Sequence, residues 1–139
     1  MKRGIDYIGV GVGAVIINER HEVLLLLRRV PPEPGYWTIP GGAVELFESC
    51  EEAIVRECRE EVNLSVHVDK LLTIVDHIVR EEATHWVAIE YLVTVNSGVA
   101  TNAEIDENQE LKWFPLDRLP ERMTQPTRQA LDVYKTKVR

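Results

Sequence analysis

Cysteine, positive charge and long apolar runs are all scarce in this sequence. Its 139 residues include two cysteines, 16 lysines and arginines against 23 aspartates and glutamates, and the formal net charge is −7. No apolar run reaches about 20 residues, so we expect no transmembrane helix. The acidic balance argues against nucleic acid and anionic membranes as partners. A phosphorylated small molecule remains compatible with this charge if a divalent cation mediates its binding.

The two cysteines, Cys50 and Cys58, lie in one predicted helix. Their spacing corresponds to about 12 Å of helix rise, which is too far for a disulfide. We therefore expect reduced, largely apolar side chains and a cytoplasmic protein. The N-terminal segment has a Lys and an Arg before an apolar stretch, but its glycines and the lack of a small-residue cleavage site disfavour a signal peptide.

Alternating and helical apolar patterns predict one mixed α/β domain over residues 1–139. Strands are expected at 8–17, 22–28, 36–40, 65–80, 84–95 and 111–115, and helices at 49–62 and 126–137. The turn at 18–21 predicts that the first two strands form a hairpin. Gly41 and Gly42 are expected to end the third strand in a tight turn. Ser49 and Glu52 have the spacing of a capping box, and Asn63 is a suitable helix stop.

The segment GVGVGA at 9–14 matches a dinucleotide-binding fingerprint, but its surroundings do not fit. That fingerprint needs a strand before it and a helix after it, whereas here more strand follows. We interpret the glycines as marking a strand that another backbone or a ligand approaches closely.

Three carboxylates of the first helix, Glu57, Glu60 and Glu61, share about a quarter of its circumference. Like charges at this spacing repel by a few tenths of a kcal/mol per pair. One interpretation is a solvated face, since Arg56 lies at favourable spacing from Glu52 and Glu60. The alternative is a site for a hard divalent cation, which prefers oxygen ligands and leaves room for phosphates. The glycine turn and the acids Glu45 and Glu48 just upstream favour this second interpretation.

From Gly42 to Leu64 the sequence resembles the signature of the Nudix hydrolases, which cleave nucleoside diphosphates linked to another group. That signature is Gly, five residues, Glu, seven residues, then Arg-Glu-aliphatic-any-Glu-Glu-any-Gly-aliphatic. The matching positions are Gly42, Glu48, Arg56, Glu57, Cys58, Glu60, Glu61, Asn63 and Leu64. Cys58 and Asn63 depart from the pattern, but every carboxylate is kept. With similar flanks, YWTIPGG and ELKWFPLDRLP, the resemblance covers about residues 8–120. It implies an α/β/α sandwich with a strongly curved mixed sheet and the motif as a loop–helix–loop.

The resemblance also implies roles for individual residues. The expected ligands of Mg²⁺ or Mn²⁺ are Glu57, Glu60, Glu61 and the carbonyl of Gly41. Glu48 and Arg56 would orient these carboxylates, as partners of metal ligands commonly do. Relatives often add a late-loop carboxylate as ligand or base, and the candidates here are Glu104, Asp106, Glu107 and Glu110. Glu107 fits best by its distance from Trp113. The expected catalytic residues are therefore Glu48, Arg56, Glu57, Glu60 and Glu107.

Candidates for substrate contact rest on weaker patterns. Arg28, at the end of a strand, is either a phosphate contact or a surface charge. Tyr36, Trp37 and Trp86 either stack on a ring or belong to the core. Gly42 is expected to bring backbone close to the substrate.

The resemblance implies metal-dependent hydrolysis of a pyrophosphate bond in a small-molecule nucleotide. We expect a MutT-like enzyme that cleaves a nucleoside triphosphate to monophosphate and pyrophosphate. The alternatives are a hydrolase of nucleotide sugars of the GDP-mannose or ADP-ribose type, and a catalytically silent nucleotide-binding domain. The sequence is compatible with a homodimer but does not determine the oligomeric state.

Overall fold

Residues 1–138 form seven strands and two α-helices. The computed structural model describes residues 1–138, and Arg139, the last residue of the predicted domain, lies outside the described part. The strands are β1 Gly9–Ile16, β2 Glu22–Arg28, β3 Trp37–Thr38, β4 Gly41–Ala43, β5 Leu64–Val79, β6 Thr84–Gly98 and β7 Asn108–Pro115. The helices are α1 Cys50–Val62 and α2 Gln125–Val133. The mixed α/β class predicted from the sequence is confirmed.

The strands form two sheets. One has the order β4-β1-β6-β5 and the other the order β3-β2-β7. In the first sheet β1 runs parallel to β6 and antiparallel to β4, so this sheet is mixed as predicted. Irregular register along β5 and β6 bends their long pairing.

Two apolar cores lie on opposite sides of the central strands. Side chains of β2 alternate between them: Leu24 and Leu26 join the core that α1 covers, whereas Val23 and Leu25 join the core that α2 covers. This period-2 alternation explains the unbroken apolar run of β2, because both faces of the strand are buried. The two helices thus cover opposite faces, as expected for an α/β/α sandwich.

The predicted hairpin between the first two strands is wrong. Ile17 and Val23 form only an isolated bridge, after which β1 and β2 enter different sheets. The physical reason is that both hydrogen-bonding edges of each strand are taken. β1 pairs with β4 and β6, and β2 pairs with β3 and β7.

The predicted Gly41-Gly42 turn is also wrong, since these residues begin β4 and pair with β1. A Cβ on Gly41 would overlap the carbonyl group of Val12. Glycine is therefore required here by the close approach of two backbones rather than by a turn.

The predicted ends of the first helix are confirmed. The Ser49 side chain accepts a hydrogen bond from the Glu52 backbone N–H, and the Glu52 side chain accepts one from the Ser49 backbone N–H. Asn63 ends α1 in the left-handed conformation, with φ of 61°. The second helix departs from expectation, because α2 ends at Val133 and a wider π-type turn, Tyr134–Val138, continues the chain. Within residues 1–138, no helix is long and apolar enough to cross a membrane.

Candidate active site

Glu61 is the most deeply placed acid of α1. Only 7% of Glu61 is exposed to solvent. The backbone N–H of Gly41 donates to its Oε1 at 2.9 Å, and Asn108 Nδ2 donates to its Oε2 at 3.1 Å. Burial raises the pKa of Glu61 to about 8, against the lowering effect of these two hydrogen bonds. The side chain is therefore held in one orientation, in a place where its negative charge is poorly solvated.

The late loop brings two more carboxylates to Glu61. The backbone N–H of Ala103 donates to the carbonyl oxygen of Glu61 at 3.0 Å, which ties the loop to the end of α1. Carboxylate oxygens of Glu61, Glu104 and Glu107 lie within 4.8 Å of one another. Burial raises the pKa of Glu104, and the nearby negative charge of Glu107 raises it further. Among the four predicted late-loop acids, Glu104 and Glu107 thus join this cluster, and Asp106 and Glu110 do not.

Arg56 holds the remaining acids of the motif together. Its guanidinium contacts Glu48 through two bonds of 2.7 and 2.9 Å, Glu57 at 2.9 Å and Glu60 at 3.3 Å. It also donates to the carbonyl oxygen of Ala43 at 3.0 Å. The contact with Arg56 lowers the pKa of Glu48 to about 2. Arg56 and Glu48 therefore fix the motif loop and β4 against α1, and their role in orienting metal ligands stays a prediction.

Glu57 lies directly against the backbone of Gly42. A Cβ on Gly42 would overlap the Glu57 carboxyl group, so only glycine leaves room for this acid. Burial raises the pKa of Glu57 to about 7, although Arg56 favours the charged form. Glu60 is more open, with its side chain about half exposed.

These acids suit a hard divalent cation. Several carboxylates share a small volume, three of them with pKa values raised by burial, so a cation would compensate charge that the protein leaves poorly solvated. The donor atoms are oxygens, as Mg²⁺ and Mn²⁺ prefer. The carboxylates of Glu61, Glu104 and Glu107 lie closest to one another, and Glu57 and Glu60 lie on the same helix as Glu61. In this structure Gly41 contacts the set through its N–H group.

A cavity of about 320 Å³ lies beside these acids. Its lining includes Glu61 and Glu107, and also Trp86, Glu90 and Gly42. Trp86 thus lines the cavity, and its stacking on a ring of the substrate stays a prediction. Its indole lies over Gly9 and Gly4, where a Cβ would overlap the ring.

Two other sequence candidates have local partners. Trp37 does not line the cavity and packs edge-on against Phe114, with ring centroids 4.7 Å apart. Arg28 lines the cavity, but its guanidinium donates to the carbonyl oxygens of Pro31 and Pro32 at 3.1 and 2.6 Å. Burial lowers the pKa of Arg28. Arg28 therefore holds the proline-rich loop at the cavity wall.

Sequence reasoning missed two site residues. Asn108, 2% exposed, orients Glu61 from β7, and nothing in its local sequence distinguishes it from other polar residues near a loop. Glu90 is a buried carboxyl group in the otherwise apolar segment VAIEYLV of β6. A single charged residue inside an apolar strand is unusual, and this signal in the sequence could have identified Glu90.

The fold and this arrangement of acids define a class of protein. A model of the NUDIX domain matches residues 8–134, and the chain belongs to the Nudix hydrolase family. The fold predicted from the resemblance is thereby confirmed.

Individual relatives agree with this assignment. The chain is similar to a MutT Nudix hydrolase from Burkholderia pseudomallei of known crystal structure, with 40% identity and a TM-score of 0.81, over 91% of this chain and 98% of that one. It is 34% identical to an ADP-ribose pyrophosphatase from Methanocaldococcus jannaschii over 76% of this chain and 61% of the relative. It is also 34% identical to an 8-oxo-dGDP phosphatase from Danio rerio over 82% of this chain. The matched region spans only 33% of that relative.

Proposed function

We propose that this protein is a divalent-cation-dependent pyrophosphohydrolase that cleaves a nucleoside triphosphate to a monophosphate and pyrophosphate. The observation that carries the proposal is the cluster of Glu61, Glu104 and Glu107 oxygens beside a cavity of about 320 Å³. Carboxylates and phosphates repel each other, so a dense group of carboxylates at a cavity can bind anionic phosphates only when cations neutralise both.

The chain's own residues would bind and orient the reacting groups. When bound, Mg²⁺ or Mn²⁺ neutralises phosphate charge and lowers the pKa of a coordinated water. Glu61, fixed by Gly41 and Asn108, would be a ligand of constant geometry. Arg56 would keep Glu57 and Glu60 in position while they bind. Glu107 or Glu104 would act as a further ligand or accept a proton from the attacking water.

The size of the cavity supports a single nucleotide as substrate. Ligand sites usually measure about 300 to 1,000 Å³, so this cavity is at the small end of the range. One base with its ribose and phosphates suits such a space better than a nucleotide with a second sugar. A hydrolase of the ADP-ribose type is the second candidate, because one relative of 34% identity is an ADP-ribose pyrophosphatase.

The test is a panel of nucleoside triphosphates, GDP-mannose and ADP-ribose, each with Mg²⁺ and with excess chelator, followed by identification of the products. We expect cleavage only with the cation, and the highest kcat/KM with a triphosphate. The variant Glu57→Gln should lower turnover by orders of magnitude. Glu51→Gln, which changes an exposed acid of the same helix, is the matched control.

Three results would contradict the proposal. Full turnover in excess chelator excludes cation dependence. A tenfold preference for a nucleotide sugar, equivalent to about 1.4 kcal/mol of transition-state binding, transfers the assignment to the second candidate. Cation-dependent nucleotide binding without any product identifies a silent binding domain.

A further inference from the structure

Glu90 in β6 lines the cavity, but its carboxyl group takes no part in the contacts described so far. The residue is 2% exposed, and its Oε2 is buried without a hydrogen-bond partner. Burial raises the pKa of Glu90 to about 8. A buried carboxyl group without partners destabilises a protein, so a compensating interaction with a ligand would account for it.

Glycines on the neighbouring strand make room for this side chain. The parallel register of β1 and β6 sets Gly13 beside Glu90 and Gly11 beside Ala88. A Cβ on Gly13 would overlap Oε2 of Glu90. The Glu90 carboxyl group therefore covers Gly13. Next to it, Gly11 and Ala88, which we call the glycine floor, form a surface with almost no projecting side chains. Such a surface lets a flat ring lie close to the backbone.

The glycine floor and Glu90 line the same cavity as Glu61 and Glu107. Gly13 also pairs with Gly41, whose N–H group holds Glu61, so one row of paired residues leads across the sheet from Glu90 to the acid cluster. A substrate whose phosphates bind at the acids can thus place its ring over the glycine floor. Trp86 borders the same floor and offers an aromatic surface.

We propose that Glu90 is a specificity residue that hydrogen-bonds the edge of a guanine-type base lying on the glycine floor. The inference deepens the proposed function and rests on it. The geometry requires a ring system, because the floor is flat, and a polar edge on that ring, because Glu90 has no partner of its own.

The choice of guanine follows from hydrogen-bond chemistry. An ionised carboxylate only accepts, and guanine offers it two adjacent donors, the ring N1–H and the exocyclic amino group. A protonated carboxyl group both donates and accepts, and it can pair with O6 and N1–H of the same base. Adenine and cytosine have one amino group next to a ring nitrogen that only accepts, so they suit the protonated form alone. Guanine therefore satisfies Glu90 in either protonation state.

The experiment measures binding of guanosine and adenosine 5′-monophosphate in the presence of Mg²⁺ by titration calorimetry, with kcat/KM for the triphosphates measured alongside. For the unmodified protein at about pH 8.5, above the pKa of Glu90, we expect at least about tenfold tighter binding of the guanosine nucleotide. The ionised carboxylate only accepts hydrogen bonds, so it pairs with the two donors of guanine and is left facing the ring nitrogen of adenine. Glu90→Leu should abolish this preference. Glu90→Gln should keep guanosine binding and accept adenosine about equally, because an amide can pair with both edges.

Thermal melting separates recognition from folding. Both variants should melt at or above the temperature of the unmodified protein, because each removes an unpaired buried acid. Glu121→Gln, an exposed acid outside the cavity, is the control and should leave the preference unchanged.

The outcomes distinguish the two proposals. Equal binding of the two nucleotides, or a guanine preference that survives Glu90→Leu, overturns the role of Glu90 while triphosphate hydrolysis stands. An equal loss of kcat for every base in Glu90→Leu also overturns it, since that pattern indicates a general catalytic effect. A Glu90-dependent guanine preference without any hydrolysis would instead overturn the proposed enzymatic function.

Discussion

Replacing Glu61 by glutamine should make the cation-free protein less sensitive to rising pH. Burial shifts the pKa of Glu61 from 4.5 to about 8 in the folded protein. A raised carboxyl pKa contributes stability at low pH, and this stability is lost as pH rises through the folded pKa. The slope is about 1.4 kcal/mol per pH unit between the two values, so about 2 kcal/mol is lost between pH 6 and pH 8.

The assay is thermal or urea unfolding in excess chelator at several pH values. For a chain of this size, about 2 kcal/mol corresponds to a decrease in Tm of roughly 5 to 10 °C. Glu61→Gln should remove that part of the decrease and keep the fold, since an amide retains the acceptor for Gly41 and the Asn108 amide can rotate to pair with it. Excess Mg²⁺ should stabilise the unmodified protein more at pH 8 than at pH 6, because the cation binds the ionised form.

The matched control is Glu51→Gln, which removes an exposed acid from the same helix and should leave the pH slope unchanged. Parallel pH profiles for the unmodified protein and Glu61→Gln would refute the reasoning. That result would show that Glu61 is no more difficult to ionise in the folded chain than in the unfolded one.

Three further predictions concern the motif and the late loop. Gly42→Ala should lower kcat by at least about tenfold while the protein stays folded, because its Cβ would displace the Glu57 carboxyl group. Steady-state kinetics and circular dichroism test this prediction, and an unchanged kcat would contradict it. Ser49→Ala should reduce the free energy of unfolding by about 1 kcal/mol through loss of the N-cap, measured by urea denaturation, and no change would exclude the cap as a stabilising contact. Glu107→Gln should lower kcat more than it changes KM, and an unchanged kcat would transfer this role to Glu104.

Features set by short stretches of chain could be predicted. The capping box and the left-handed Asn63 depend on residues within one helix, and the motif spacing identified the family. Arg56 and Glu48 are eight residues apart, close enough in sequence for the resemblance to suggest their contact.

Features set by distant partners could not be predicted in the same way. The expected hairpin failed because β1 and β2 each find better partners far along the chain, and β2 is apolar on both faces. Arg28 was weighed as a phosphate contact or a surface charge, yet it binds the carbonyl oxygens of a loop whose path the sequence does not reveal. The Asn108 contact with Glu61 joins residues on α1 and β7, and no local pattern connects them.

The overlap between a Gly13 side chain and Glu90 restricts the order in which this site can change. Any L-residue larger than glycine at position 13 overlaps the Glu90 carboxyl group and the end of the Ile39 side chain, so substitution there requires these buried groups to move. A smaller residue at position 90 removes the more severe of the two overlaps and leaves only a shift of Ile39 for alanine at position 13. A change at position 90 therefore favours a later change at position 13, and selection experiments that start from position 13 should recover compensating changes at position 90 or 39.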